Sequence, residues 1–165
     1  SDLSVAPCPI YDFNYIESNL AIGDESVAHN TELLMQEGFT HILNVSSNGY
    51  PERPCFKCLW KDIKDSNVQK LYPILPECLH FISDALQGND SCGSGKILVH
   101  CRAGISRSVS VVIAYYMWSR RLSFTEAFSL VAQGRRKADP NMNFICQLLM
   151  LEERLKEVDY NIDKI

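Results

Sequence analysis

The chain has 165 residues, 46% of them hydrophobic, which is the length of one domain and enough apolar mass to bury a core without metal or disulfide support. Its formal charge of -4 excludes a general electrostatic attraction to nucleic acid or acidic lipid. Any anion site has to be a concentrated pocket inside an acidic envelope.

In chain order, short apolar runs bounded by Gly, Pro, Asn or Ser predict strands at Leu20–Ile22, Thr40–Val45, Phe56–Trp60 and Lys96–His100. Helical patterns lie between and after them. "TELLMQEG" starts at Thr31 and stops at Gly38, a glycine suited to a C-cap. From Leu71 to Leu86 apolar residues recur at helical spacing, and "QGNDSCGSGK", residues 87–96, is loop in composition. "SVSVVIAYYMW" predicts a helix whose Tyr115, Tyr116 and Trp118 belong to the core. "SFTE" is a capping box that opens a further helix at Ser123, and "PNMNFICQLLMLEERL" supplies a last amphipathic one. This alternation implies an α/β fold with a central, mostly parallel sheet of about four to five strands flanked by helices. A single domain spanning 1–165, with its core at 15–157, is the expected organisation.

The N-terminal "SDLSVAPCPIYDF" lacks the basic start and apolar run of a signal peptide, and Val109–Trp118 is too short to cross a bilayer. Seven cysteines (Cys8, Cys55, Cys58, Cys78, Cys92, Cys101, Cys146) form an odd set without framework spacing, which predicts reduced thiols in the cytoplasm or nucleus. "CFKC" at Cys55 and Cys58 has metal-like spacing, but no matching Cys or His pair accompanies it, and ordinary strand thiols are the favoured reading.

The junction "CRAGISR", between the strand "KILVH" and the helix "SVSVVIAYYMW", carries the chemistry. A Cys and an Arg at this spacing mean little alone. In this context, a tight loop before a helix turns backbone N–H groups inward, and the helix start adds partial positive charge, so the concavity suits a tetrahedral dianion. Arg107 would clamp that anion with its guanidinium, and Gly104 would allow a backbone conformation that a Cβ obstructs. Cys101 in such a field should ionise below its ordinary value and attack phosphorus in line.

"VHCRAGISRS" resembles the H-C-x-x-G-x-[ST]-R-[ST] signature of cysteine-dependent protein phosphatases, and its S-R-S ending resembles the dual-specificity branch. "NLAIGDESVAHN", "GFTHILNVSS", "LHFISDAL" and "DPNMNFICQLLMLEERL" also resemble blocks of that family in family order, and "PNMNF" is most like the mitogen-activated-protein-kinase (MAP kinase) phosphatase subset. The resemblance implies a protein tyrosine phosphatase-like fold and a phosphoprotein substrate, a MAP kinase among the implied ones, with no metal, cofactor, nucleic acid or membrane involved.

By the same resemblance, Cys101 is the nucleophile and Arg107 the clamp. The amides of Arg102, Ala103, Gly104, Ile105, Ser106 and Arg107 bind phosphate, and Ser108 assists departure of the thiolate. A general acid is expected in "WKDIKDSN"; Asp62 and Asp65 both qualify, and counting back from Phe81 and Ile82 favours Asp65. His100 either fixes the loop from behind or is a satisfied core histidine. Asn141 either braces the active-site loops or caps the last helix. Arg136 either meets a second phosphate or is part of a solvated basic turn. Asn143 stands where many relatives carry Gly, and an Asn there would suit a positive φ.

Three functions compete at this point. One is hydrolysis of phosphotyrosine and phosphoserine or phosphothreonine in proteins, with a shallow cleft and broad specificity. The second is a catalytically idle phosphoprotein-binding scaffold of the same fold, and the third is a phosphatase for phosphoinositide or RNA 5'-phosphate. Retention of both thiol and clamp disfavours the second, and a loop with only Arg102 beyond the clamp, in an acidic chain, disfavours the third.

Overall fold

The computed structural model describes residues 11–88 and 94–165. Cys8, Cys92 and the middle of the expected 87–96 loop lie outside them. Five strands form one sheet: β1 (Phe13–Glu17), β2 (Leu20–Gly23), β3 (His41–Asn44), β4 (Lys57–Trp60) and β5 (Ile97–His100). Their order is β1-β2-β5-β3-β4, and only the β1–β2 pair is antiparallel. The mostly parallel sheet expected from the alternating pattern is therefore present, with β1 added at one edge.

The inner strands β2, β3 and β5 are buried at every position because both sides of the sheet are covered. In β5, Ile97 and Val99 belong to one core and Leu98 to the other; Leu43 and Ile42 of β3 divide in the same way. Two short helices, α1 (Glu25–His29) and α2 (Thr31–Glu37), cover one face. The opposite, larger core is built with α3 (Leu75–Gln87), α4 (Arg107–Ser119), α5 (Phe124–Gly134) and α6 (Met142–Glu157).

Helix ends follow their local chemistry. Gly38 closes α2 in the left-handed region at φ 83, and Ser123 opens α5 with both bonds of the capping box. The run expected as helix from Leu71 becomes helical only at Leu75. Pro73 disfavours helical backbone at Tyr72, while Pro76 is tolerated inside the first turn. Helix α4 runs through the larger core with every residue from Ser108 to Met117 buried, so its start is fixed by packing along its whole length. Tyr115 and Tyr116 are buried as expected, and the half-buried Trp118 donates its indole N–H to Tyr160 O at 3.0 Å.

Candidate active site

Parallel strands β2, β5 and β3 all end on one side, and the chain leaves β5 at His100 straight into the loop 101–106 before entering α4. The carbonyls of that loop are each drawn outward by a named donor. Glu25 N–H donates to Arg102 O (3.0 Å), and Arg135 donates Nη2 to Ala103 O (3.2 Å) and Nε to Gly104 O (2.6 Å). Asp139 N–H donates to Ile105 O (2.8 Å), and Ser110 donates both its N–H (2.9 Å) and its hydroxyl (2.7 Å) to Ser106 O. In a trans peptide the N–H points opposite to the C=O, so outward carbonyls turn the following amides inward. Helix α4 has no capping side chain, which leaves its first-turn N–H groups facing the same hollow.

Gly104 is required twice. Its φ of +67 is the left-handed region, and a Cβ there would stand 2.6 Å from both Arg135 Nη2 and Gly23 O. Glycine is what lets the loop close over the buried arginine.

Cys101 is 2% exposed and sits on the floor of a cavity of about 300 Å3 that it shares with Asp65, Arg102, Ala103, Ile105, Ser106 and Arg107. Its Sγ lies 3.2 Å from Ser108 Oγ and accepts the Gly104 N–H at 3.3 Å. Burial by itself would raise the thiol. The Ser108 hydroxyl and N–H, the Arg107 guanidinium and the Gly104 N–H together outweigh it and hold the thiol below its ordinary value. Arg107, half-buried at the first position of α4, donates Nη1 to Ile63 O at 3.1 Å, which ties it to the loop that carries Asp65.

His100 is fully buried behind the loop. Its Nδ1 approaches Cys101 O at 3.2 Å, which assigns the ring proton to Nδ1 and leaves Nε2 to accept from Tyr50 Oη at 2.8 Å. Tyr50 also stacks on the ring, at 5.8 Å and 20°. Burial, helped by the charges of His29 and Arg53 and only partly opposed by the Cys101 carbonyl, brings the imidazole down to about 4. The ring is neutral at physiological pH, so it orients the loop and adds no charge to it.

Because the unfolded ring titrates near 6.5, the folded protein binds fewer protons than the unfolded chain between that value and about 4. This contribution to stability is complete above about pH 6.5 and is lost as pH falls toward 4. Urea unfolding at about pH 7.5 and about pH 4.5 should show that His100→Asn removes about 2 to 3 kcal/mol of the acid destabilisation. An unchanged pH difference would contradict a ring held neutral.

Of the two aspartates, Asp65 lines the cavity and its Oδ1 accepts the Asn141 side-chain amide at 2.7 Å; Asp62 is exposed and not among the lining residues. Asn141 also caps α6, its Oδ1 accepting Phe144 N–H at 2.8 Å. At Asn143 the condition of a positive φ does not arise. The residue lies inside α6, outside the left-handed region, and its side chain donates to Ser66 O (3.0 Å) and Gln69 O (2.9 Å). An amide that binds the neighbouring loop is what the position holds.

Arg136 is exposed on the turn after α5 and is not among the cavity-lining residues. Its neighbour Arg135 is the residue that sequence reasoning missed: fully buried, it braces two loop carbonyls while Nη1 reaches Asn14 Oδ1 (2.8 Å) and Asp12 Oδ1 (3.1 Å). Among the described residues no group of three or more His, Cys, Asp or Glu could hold a metal ion. Cys58 lies in β4 and Cys55 is exposed just ahead of it. None of the described helices is long and apolar enough to cross a membrane.

The family described as "Dual specificity phosphatase, catalytic domain" matches residues 20–154. The chain is 38% identical over 144 residues to Protein-tyrosine-phosphatase MKP1 of Arabidopsis thaliana, a match covering 85% of this chain and 18% of that protein. It is 34% identical over 148 residues to Dual specificity protein phosphatase 1B of the same plant, covering 88% and 84%. The human tyrosine phosphatase-like serine/threonine/tyrosine-interacting protein superposes with a TM-score of 0.80 at 31% identity, covering 88% of this chain and 99% of that one. The chain thus spans less than a fifth of the first relative and most of the second.

Proposed function

The chain belongs to the dual specificity phosphatase family, and from that premise we propose that it hydrolyses phosphotyrosine and phosphoserine or phosphothreonine in proteins through a phosphocysteine intermediate. The observation that carries this reading is Cys101 Sγ held between Ser108 and the Gly104 amide, on the floor of a cavity shared with Arg107 and Asp65.

The Cys101 thiolate attacks phosphorus while the inward amides of Arg102 to Arg107 and the Arg107 guanidinium hold the equatorial oxygens. The P–O bond to the substrate breaks, and its oxygen takes a proton from Asp65. Water then attacks the phosphocysteine, with Asp65 now accepting its proton and Ser108 stabilising the departing thiolate. His100 and Asn141 position the loop and the acid. Arg136, solvent-facing, is the candidate for a second phosphate on the substrate.

Relatives named as dual specificity protein phosphatases support a protein substrate, and MAP kinases are proposed among such substrates on the resemblance of "PNMNF". Reduced cysteines among the described residues support a cytoplasmic or nuclear setting. The test is an assay of phosphotyrosyl, phosphothreonyl, doubly phosphorylated kinase-loop, phosphoinositide and RNA 5'-phosphate substrates. Peptides of both kinds should be turned over, the doubly phosphorylated loop best. Peptide binding without turnover would favour the scaffold, and preference for lipid or RNA would overturn the protein-substrate reading.

A further inference from the structure

Asp65 sits in a stretch, 61–70, without helix or strand, and it is exposed. Apolar packing anchors that stretch at Ile63, which is 1% exposed, but not beyond Asp65, where Val68 is 77% exposed. A proton donor in such a loop is useful only if its position is set before the substrate arrives. In this chain the loop's own Ser66 and Gln69 side chains take the N–H groups of Lys64, Val68 and Gln69, while Ser66 O, Gln69 O and Leu71 N–H are taken up by side-chain amides at the start of α6.

Three amides form the bracket. Asn141 donates one N–H to Asp65 Oδ1 and another to Ser66 O at 3.3 Å, while its oxygen is occupied by Phe144 N–H. Asn143 donates to Ser66 O and Gln69 O. Gln147, one turn on, donates to Gln69 O (2.8 Å) and to Asn143 Oδ1 (2.9 Å), and its own oxygen accepts Leu71 N–H at 2.8 Å. Every polar atom of Asn143 and Gln147 is used, so neither amide can flip without losing bonds. The loop contributes two carbonyls and one N–H that would otherwise have to be satisfied by solvent, which would leave the loop free to move.

We infer that Asn143 and Gln147 are positioning residues for the acid: they lock the 65–71 segment onto α6, so that Asp65 stands over Cys101 in advance of binding. The inference rests on Asp65 being the proton donor of the proposed reaction. A glycine at 143 would remove two of the donors and the acceptor that orients Gln147. The acid loop of this chain is therefore fixed by a device that a glycine cannot supply.

The test compares kcat for phenyl phosphate, whose leaving group needs a proton, with kcat for 2,4-dinitrophenyl phosphate, whose leaving group does not. Asn143→Ala favours the helix while deleting the amide. It should lower kcat about tenfold on phenyl phosphate and much less on the dinitrophenyl ester, with KM little changed and the basic limb of the pH profile flattened. Asn143→Asp keeps the shape and the acceptor for Gln147 but sets a carboxylate against two carbonyls, so its loss should be larger than that of Asn143→Ala. Thermal unfolding of both variants should remain close to that of the parent chain.

Equal losses on the two esters, no loss, or rescue by Asn143→Asp would overturn the inference. Asp65→Ala run in parallel separates the two levels. If it shows the leaving-group dependence and the Asn143 variants do not, the bracket alone is refuted; if it shows none, the assignment of the acid falls and the bracket with it.

Discussion

Replacing Cys101 by serine is expected to lower kcat by at least about 10⁴-fold, equivalent to about 5.5 kcal/mol of barrier, while leaving phosphopeptide binding intact or tighter. The loss has two parts. A hydroxyl at this position does not ionise at neutral pH, because an alcohol is a far weaker acid than a thiol, and the hydrogen bonds from Ser108 and Gly104 that hold the thiol below its ordinary value cannot close that gap. A seryl phosphate, if it formed, would also hydrolyse slowly, since an alkoxide is a far worse leaving group than a thiolate.

Binding is governed by different atoms. The amides of 102–107 are oriented by carbonyl partners on Glu25, Arg135, Asp139 and Ser110, none of which touches Sγ, and Arg107 is anchored to Ile63 O. Removing the thiolate also removes a negative charge from beneath the incoming dianion, so the dissociation constant should hold or fall. Calorimetry with a phosphotyrosyl peptide, beside a single-turnover assay, checks both halves. Turnover within about tenfold of the parent would exclude Cys101 as nucleophile, and lost binding with an intact fold would mean that the cup depends on the sulfur.

How much of this was legible beforehand depended on the range of the interactions. The capping box at Ser123, the Gly38 stop and the strand-to-helix passage around Cys101 are local patterns, readable within a few residues. Strand β1 was not, because "FNYIE" mixes polar and apolar residues and has no uniform face; its place comes from pairing with β2, irregular between Tyr15 and Glu17, and from Phe13 and Tyr15 packing around Phe39. Tyr50 and His100 meet although they stand fifty positions apart in the chain. Neither carries a local sign of the other.

Arg135 shows the same limit at the site itself. In "GRRKADP" it reads as one cation of a solvated turn, whereas its partners Asp12, Asn14, Ala103 and Gly104 arrive from two distant segments. Burying a guanidinium is costly unless its donors are matched, and here each nitrogen has a carbonyl or carboxylate partner. The hint was the neighbouring glycine: a loop that needs Gly104 at positive φ leaves room for something large behind it. What that something is could be found only once the loop and the turn after α5 were placed together.

Arg107→Lys is the second large effect, an expected fall in kcat of about 10³-fold, or about 4 kcal/mol, with substrate affinity weakened by no more than about tenfold. Charge is conserved, so the attraction that helps ionise Cys101 persists in part, and alkylation of the thiol by iodoacetate should keep nearly the same pH midpoint. Geometry is not conserved. The guanidinium already spends Nη1 on Ile63 O and still has a planar array of donors for two phosphoryl oxygens; an ammonium must choose between the loop and the substrate.

In phosphoryl transfer the equatorial oxygens flatten into a plane between nucleophile and leaving group, and a fork matches that plane where a point charge does not. The deficit should therefore appear in kcat far more than in KM. Losing the bond to Ile63 O also loosens the far side of the acid loop, so the deficit should be greater for phenyl phosphate than for its dinitrophenyl analogue. A lysine variant that turned over within about tenfold of the parent would show that charge alone, and not the shape of the clamp, carries the transition state.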